Sequence, residues 1–184
     1  MRLSKLQSKL SKSETYQPAE DTYFLHDHIK NEKGDAALDI GSGSGFLTRA
    51  LLKSFNFVVG TDLNFNALKN QSIKPENLVC CNAADVLSRQ FDLIICNMPY
   101  LASDEILDIA TDGGSEGLEV PMKIIKSAKN CLKRGGKFLF VTSSLSNYEK
   151  LVENTQNEGF NVEILARKKL FFEELILVEA RKSC

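Results

Sequence analysis

The sequence lacks several features that would assign it to other classes of protein. Its 184 residues include only two histidines, and its five cysteines form no CxxC pair, so neither a zinc site nor a disulfide framework is indicated. No apolar run approaches the roughly 18 residues of a membrane span, and the N-terminus carries no apolar signal segment. The 23 basic and 24 acidic residues leave a net charge of −1, which argues against nucleic-acid binding through phosphate neutralisation. We therefore expect no metal and no membrane, and a cytoplasmic location with the nucleus as the alternative.

The N-terminus differs from the rest of the chain in charge. Residues 1–15 contain four basic side chains and a single acidic one, Glu14, whereas the rest of the chain is net negative. A chain of this length with 43% apolar residues buries one substantial core. We expect a basic N-terminal arm over residues 1–15 and a single domain over residues 16–184.

Beyond Gly34, short apolar runs alternate with longer amphipathic stretches. Short runs with little charge are typical of buried strands in a parallel sheet, and the stretches between them have helical spacing. Strands that alternate with helices predict a three-layer α/β/α fold around a doubly wound sheet. The predicted strands are 36–40, 57–60, 78–81, 91–96, 137–142, 161–166 and 174–181, the last two antiparallel. The predicted helices are 20–33, 46–53, 65–71, 120–132 and 145–158.

The segment after the first predicted strand is rich in glycine. Residues 39–45 read Asp-Ile-Gly-Ser-Gly-Ser-Gly, and glycines there let the backbone approach a ligand at the start of a helix. A dinucleotide fingerprint would need its third glycine at Phe46, and a P-loop would need a Gly-Lys-Ser/Thr that is absent. Asp62 ends the second strand, where its carboxylate is placed to accept hydrogen bonds from ribose hydroxyls. Asp85 follows the third predicted strand. Asp39, Asp62 and Asp85 thus place an acidic side chain at the end of each of three consecutive strands, which indicates a binding site.

The fourth predicted strand ends in Asn-Met-Pro-Tyr at positions 97–100. With the glycine segment and Asp62, this tetrapeptide resembles the NPPY motif of the seven-stranded class I S-adenosylmethionine-dependent methyltransferases, which marks enzymes that methylate a planar, conjugated nitrogen. Such a nitrogen needs two hydrogen-bond acceptors, here the Asn97 side-chain oxygen and the main-chain carbonyl of Met98, and a stacking ring, Tyr100. These groups orient the lone pair and stabilise the positive charge that develops on nitrogen.

Met98 departs from that motif, because proline is usual at its position. The acceptor there is a backbone carbonyl, so we expect the chemistry to be retained and Met98→Pro to be tolerated. A bulky aliphatic residue before Pro-Tyr also resembles the motif of the ribosomal-RNA adenine-N6 dimethyltransferases. An adenine in RNA or DNA therefore remains an alternative acceptor.

Two further segments resemble the short branch of the HemK-like protein glutamine methyltransferases, which lacks an N-terminal substrate-binding bundle. Residues 16–22 read Tyr-Gln-Pro-Ala-Glu-Asp-Thr, and residues 111–120 match the Gly-Gly-x-x-Gly-x-Glu-Val loop of that branch. The resemblance covers roughly residues 14–181 and implies a sheet of order 3-2-1-4-5-7-6 with the seventh strand antiparallel. It also implies methylation of the glutamine side-chain amide in the Gly-Gly-Gln loop of the class I translation termination factor.

The same resemblance implies where S-adenosylmethionine binds, with S-adenosylhomocysteine as the product. The cofactor should lie across the C-terminal ends of the first, second and fourth strands. The residues expected to contact it are Tyr16 and Thr22, which close over it; Asp39, Gly41, Ser42, Gly43 and Gly45 at its methionyl part; Asp62 and Leu63 at the ribose; Asp85 and Val86 at the adenine; and Asn97. The residues expected to carry catalysis are Asn97, Met98, Pro99 and Tyr100.

The third predicted strand, residues 78–81, lies at a sheet edge in the implied order. It carries no charge or proline to protect it from pairing with another chain. We expect a partner to add a strand there, and the short HemK-like branch resembles enzymes that need a small zinc-binding activator protein. A segment of this same chain over the edge is the alternative. A protein lysine as the acceptor and a non-catalytic S-adenosylmethionine-binding module also stay open.

Overall fold

The computed structural model describes residues 17–72, 77–106, 108 and 110–182. The proposed basic arm and Tyr16 lie outside these residues. The strands, in chain order, are β1 (Gly34–Ile40), β2 (Phe55–Asp62), β3 (Leu78–Cys80), β4 (Phe91–Asn97), β5 (Leu101–Ala102), β6 (Asp112–Gly114), β7 (Leu132–Ser143), β8 (Phe160–Lys169) and β9 (Glu174–Lys182). The helices are α1 (Glu20–Ile29), α2 (Phe46–Leu51), α3 (Phe65–Lys69), α4 (Glu119–Cys131) and α5 (Tyr148–Asn157).

Seven of these strands form one mixed sheet in the order β3-β2-β1-β4-β7-β9-β8. The pairs among β3, β2, β1, β4 and β7 are parallel, whereas β9 is antiparallel to both β7 and β8. Since β7, β8 and β9 are the fifth, sixth and seventh strands of this sheet along the chain, the predicted order and the antiparallel last strand are confirmed. Only four residues join β8 to β9, too few for a crossover helix, so the two strands form a hairpin.

Helices pack on both faces of the sheet, which explains the nearly continuous apolar runs of its central strands. In β4 the side chains of Leu93 and Ile95 belong to the core beneath α1 and α2. Those of Ile94 and Cys96 belong to the core beneath α4 and α5. Because successive side chains of a strand point to opposite faces, the middle of a strand covered on both sides has no exposed position for charge, and the one charged residue of β4, Asp92, lies near its start.

Asparagine side chains cap the first turn of two helices, and one of these caps moves a helix start from its predicted position. Asn147 accepts a hydrogen bond from the backbone N–H of Lys150, so α5 begins at Tyr148 rather than at position 145. Asn64 accepts from the N–H groups of Asn66 and Ala67 and sets the start of α3. The predicted helices 20–33, 46–53 and 65–71 are each shorter in the structure and end at Ile29, Leu51 and Lys69.

Across the described ranges, no helix has the length and apolar character needed to cross a membrane. In the same part of the chain, no group of three or more His, Cys, Asp or Glu side chains is arranged to hold a metal ion.

Candidate active site

A cavity of about 410 Å³ opens at the C-terminal ends of β1, β2, β3 and β4. Its wall comes from the loop after β1, from residues 62–67 after β2, from residues 81–83 after β3, and from the end of β4. Ligands of open α/β sheets bind at this edge, and a volume of roughly 300 to 1,000 Å³ is usual for small-molecule sites. The cavity therefore has the position and size of a ligand site.

Residues 41–44 of the glycine segment line this cavity, whereas Gly45 is outside the lining and precedes the first turn of α2. Gly41, Gly43 and Gly45 have φ angles of 72°, 48° and 75°, which L side chains rarely adopt. The N–H groups of Gly41 and Ser42 both donate to the carbonyl of Thr61, at 2.9 and 2.8 Å. The segment is thereby held against the end of β2, with its backbone facing the cavity.

Gln71 fixes the same segment from behind, a role that the sequence did not indicate. Its side-chain Nε2 donates to the Ser42 Oγ at 3.0 Å and to the Gly43 carbonyl at 2.7 Å. The pairing spans nearly thirty residues, so no local pattern identifies it. The loop conformation consequently depends on a buried amide at the end of the α3 region.

Asp62 lies in the cavity wall with its carboxylate already oriented. The N–H of Gly43 donates to Oδ2 at 2.8 Å, and the N–H of Asn64 donates to Oδ1 at 2.7 Å. Each oxygen accepts one backbone hydrogen bond and keeps a lone pair for a further donor. Leu63, half exposed beside it, also lines the cavity. Both residues occupy the side of the cavity where the sequence predicted a ribose.

Asp39 stands behind the glycine segment rather than in the cavity wall. It is 1% exposed, and the Thr48 hydroxyl donates to its Oδ2 at 2.5 Å. Burial raises the pKa of Asp39 from 3.8 to about 7; the Thr48 hydrogen bond lowers it and the nearby charge of Asp62 raises it. Asp39 therefore influences a ligand only across the glycine backbone. The charge of its carboxyl group changes with pH near neutrality.

The loop after β3 contributes Asn82 and Ala83 to the cavity, whereas Asp85 and Val86 are outside its lining. The Asp85 carboxylate accepts hydrogen bonds from Ser127 Oγ at 2.6 Å and from Asn82 Nδ2 at 2.8 Å. Ser127 also accepts from the N–H of Ala84 at 3.0 Å. In this structure Asp85 joins the loop to α4, and its contact with the adenine stays a prediction.

Asn97 stands between two cavities. Besides the larger one it lines a second cavity of about 190 Å³. Its Nδ2 lies 3.5 Å from Thr22 Oγ1, a long contact, and its buried Oδ1 has no hydrogen-bond partner within the described part of the chain. A buried acceptor left unpaired costs about 1 to 3 kcal/mol, so this oxygen marks a place for a donor from a bound molecule.

The smaller cavity brings together residues from four distant parts of the sequence. Those that line it are Asp21, Asn97, Met98, Tyr100, Leu101, Ala110, Thr111 and Glu173. Thr22 lines the larger cavity, so the segment predicted to close over a cofactor contributes to both. Pro99 lines the larger cavity too. All four residues of the tetrapeptide are thus at the junction, and Glu173 is a member that sequence reasoning missed.

The surroundings of Met98 argue against the expectation that proline would be tolerated there. Its N–H donates to the carbonyl of Val141 at 3.2 Å, and its side chain, 2% exposed, is part of the core beneath α4 and α5. Proline has no N–H and fills less of that space. Met98→Pro therefore removes a backbone hydrogen bond and buried apolar contacts.

The glycine-rich loop over residues 113–117 supports the tetrapeptide by close backbone contact. A Cβ atom on Gly113 would lie 2.7 Å from the Pro99 carbonyl oxygen, and one on Gly117 would lie 2.3 Å from that of Tyr100. Neither distance is compatible with a side chain. The two glycines are needed because the loop backbone touches the carbonyl groups of the candidate catalytic segment.

Known proteins similar to this chain are methyltransferases. Residues 17–172 match the family model of the methyltransferase small domain. A Methanocaldococcus jannaschii protein, named as a protein N5-glutamine methyltransferase, is 34% identical over 180 residues, which cover 91% of each chain. The eRF1 methyltransferase catalytic subunit mtq2 of Schizosaccharomyces pombe is 27% identical over 194 residues and 84% of each chain.

A similar solved structure is the E. cuniculi Mtq2–Trm112 complex, described as responsible for methylation of the translation termination factor eRF1. It superposes with a TM-score of 0.80 at 26% identity, over 92% of this chain and 99% of that one.

Proposed function

The chain belongs to the methyltransferase small domain family, and on this basis we propose that it methylates the side-chain amide of a glutamine with S-adenosylmethionine as the donor. The glutamine is the one in the Gly-Gly-Gln loop of a class I translation termination factor, which would require the enzyme in the cytoplasm. The observation that carries the proposal is the buried, unpartnered Oδ1 of Asn97 at the junction of two cavities. One relative is named as a glutamine methyltransferase and the other as an eRF1 methyltransferase, and these names support the choice of acceptor.

The residues of the larger cavity fit S-adenosylmethionine. Asp62 has acceptor capacity left for two ribose hydroxyls, and the glycine backbone leaves room for the methionyl part. Asn82 and Ala83, rather than Asp85 and Val86, are the candidates for the adenine side. When bound, the cofactor supplies an electrophilic methyl group on a positively charged sulfur.

Asn97 would orient the acceptor and stabilise the charge that develops on it. An N–H of the glutamine amide donates to Oδ1, and this hydrogen bond strengthens as positive charge builds on the nitrogen. Contact between Nδ2 and Thr22 keeps the oxygen, not the amino group, directed to the junction. Thr22 is therefore a positioning residue. The nitrogen then loses its proton to solvent, so no strong base is required.

Tyr100 and the smaller cavity would receive the glutamine side chain. The cavity is large enough for a side chain but not for a folded segment, and Tyr100 offers a ring on which a planar amide can stack. The main-chain carbonyl of Met98 is the second acceptor in this proposal. Pro99 keeps the backbone between Met98 and Tyr100 rigid.

A protein lysine is the second candidate acceptor, and the charge of the smaller cavity favours it. Asp21, 6% exposed, and Glu173 both line that cavity. Their carboxylates accept hydrogen bonds from Thr22 and Ser143 respectively. An ammonium group inserted into this cavity would meet two acidic side chains, which attract a cation more strongly than a neutral amide.

We further propose that a small zinc-binding activator protein adds a strand at the edge formed by residues 78–81. In the described part of the chain β3 pairs with β2 alone, and its outer edge meets no strand. Phe65 and Val86 nearby are 64% and 66% exposed. A strand added there would satisfy the open N–H and C=O groups and cover apolar surface. The E. cuniculi relative is itself a complex with a second protein, Trm112.

A single labelling experiment tests the reaction. The protein, with and without the zinc-binding activator, is incubated with methyl-labelled S-adenosylmethionine and a termination factor, and the products are identified by mass spectrometry. Label should appear on the loop glutamine and disappear when that glutamine is replaced by asparagine. Label on lysine would establish the second candidate instead, and label on added RNA would reject both.

A further inference from the structure

The turn between β8 and β9 exposes two aromatic side chains. Residues 170–173, the hairpin tip, contain Phe171 and Phe172, which are 92% and 86% exposed. Their rings touch edge to face with centroids 4.6 Å apart. No other large apolar side chain in the described residues is more than 66% exposed. Paired aromatic rings in water are unfavourable unless a partner covers them, and aromatic residues are over-represented among the side chains that dominate interfaces.

The hairpin tip is held in place before any partner binds. The Leu170 N–H donates to the Glu173 carbonyl at 2.8 Å and closes the turn. Lys168 Nζ lies 2.5 Å from a carboxylate oxygen of Glu20 at the start of α1. On the other strand, the N–H of Glu174 donates to Ser144 Oγ at 2.9 Å, just after β7. A partner would therefore meet a preorganised surface, with little chain entropy to lose.

The hairpin tip borders the smaller cavity. Glu173, which directly follows the two phenylalanines, lines that cavity together with Asn97 and Tyr100. Its carboxylate accepts a hydrogen bond from Ser143 at the end of β7. A folded protein that inserts a loop residue into the cavity must bring the surface around that loop close to the hairpin tip.

We propose that Phe171 and Phe172 bind apolar side chains on the folded part of the acceptor protein that flanks the loop it inserts into the smaller cavity. This inference rests on the proposed function, and it gives the enzyme a docking surface for a folded substrate. The zinc-binding activator proposed above would not cover it, because β3 and β8 form opposite edges of the sheet. The hairpin tip stays open while the other edge is occupied.

The test compares a Phe171→Ser/Phe172→Ser variant with the wild type on two acceptors. One is the folded termination factor and the other is a short peptide that carries only the Gly-Gly-Gln loop. The KM for the factor should rise on the order of tenfold to a hundredfold, with kcat and S-adenosylmethionine affinity unchanged. The KM for the peptide should change less than about threefold, because the peptide does not reach the tip.

Two control variants test whether a change in KM comes from loss of this docking surface or from loss of any exposed apolar side chain. Phe171→Leu/Phe172→Leu keeps apolar surface and should restore most of the affinity for the factor. Leu52→Ser removes a 43% exposed side chain at the end of α2 and should change neither KM.

The outcomes distinguish the docking surface from the reaction. If the wild type methylates the factor and the serine variant has the same KM, the docking proposal is overturned while the function stands. The proposal is also overturned if the serine variant instead dissociates a dimer of this chain or loses the zinc-binding activator, as measured by ultracentrifugation. If the wild type transfers no methyl group to the factor, the proposed function has failed and the docking partner with it.

Discussion

The two sides of the larger cavity differ in how the side chain that would meet a ligand is held. On the Asp62 side, both carboxylate oxygens accept backbone hydrogen bonds, and Gln71 Nε2 holds the glycine segment. On the Asn97 side, the side-chain oxygen is buried and has no partner among the described residues. We call the first the oriented side and the second the incomplete side. Under the proposed function, the oriented side binds the cofactor with little rearrangement, whereas the incomplete side gains its missing hydrogen bond when the acceptor arrives.

The largest effect in free energy is expected behind the oriented side, at Asp39. Its pKa is raised from 3.8 to about 7 by burial, so the folded state holds this proton more tightly than the unfolded state. The stability that this proton provides is complete below pH 3.8 and is lost as the pH rises through about 7, a change of at most about 4 kcal/mol.

Asp39→Asn removes this titration and keeps an acceptor for Thr48. The free energy of unfolding of the variant should therefore increase relative to that of the wild type between about pH 4 and about pH 8. Denaturant titrations at each pH measure the difference. A difference that does not vary with pH would show that Asp39 is ionised at little cost.

Asn97→Ala should remove the function of the incomplete side without affecting the oriented side. Loss of a hydrogen bond that strengthens in the transition state is expected to lower the single-turnover rate by about 10² to 10³. Calorimetric affinity for S-adenosylmethionine should stay within about twofold, because Asp62 and the glycine segment are intact. Asn161→Ala, on the exposed outer part of β8, is the matched control. A near-normal rate in Asn97→Ala would contradict the role given to this oxygen.

Asp62→Ala should do the reverse and weaken cofactor binding by tenfold to a hundredfold, about 1.5 to 3 kcal/mol, because a charged acceptor is lost. Asp85→Ala sharpens the comparison, since both acids follow a strand but only Asp62 faces the cavity. We expect Asp85→Ala to change the affinity less than about threefold. Equal losses in the two variants would mean that the loop after β3 closes over the ligand.

Gly117→Ala tests whether the glycine-rich loop supports the incomplete side, and its expected effect is the smallest among these variants. Both Gly117 and Gly135 have positive φ, at 70° and 72°, but a Cβ on Gly135 meets nothing within 4 Å. Alanine at either position costs about 1 kcal/mol of backbone strain. Only Gly117→Ala also displaces the Tyr100 carbonyl, so it should lose about 1 to 2 kcal/mol more stability than Gly135→Ala, and activity as well. Thermal unfolding and turnover of the pair measure this difference.

Much of the fold could be predicted because the relevant signals are local. The apolar runs of β1 and β4 and the four-residue link between β8 and β9 are visible in the sequence, and a short link between strands permits only antiparallel pairing. The strand order itself came from the resemblance, and the structure confirms it.

Other features depended on residues distant in sequence. Asp85 resembled Asp62 as an acid at the end of a strand, yet its carboxylate accepts a hydrogen bond from Ser127, more than forty residues away, and it does not line the cavity. Gln71 and Glu173 gave no signal, because their roles depend on what lies across the fold from them. Met98 appeared to be a harmless variant until its N–H was found bonded to Val141.

The sequence by itself determined which backbone segments line the cavities: the glycine segment after β1, the acid that ends β2 and the Asn-Met-Pro-Tyr segment that ends β4. These are local properties, because hydrophobic period and the need for positive φ are encoded over a few residues. The tertiary structure alone decided which side chains face the cavities. The direction of a loop side chain depends on hydrogen bonds and packing with groups that only the folded chain brings near.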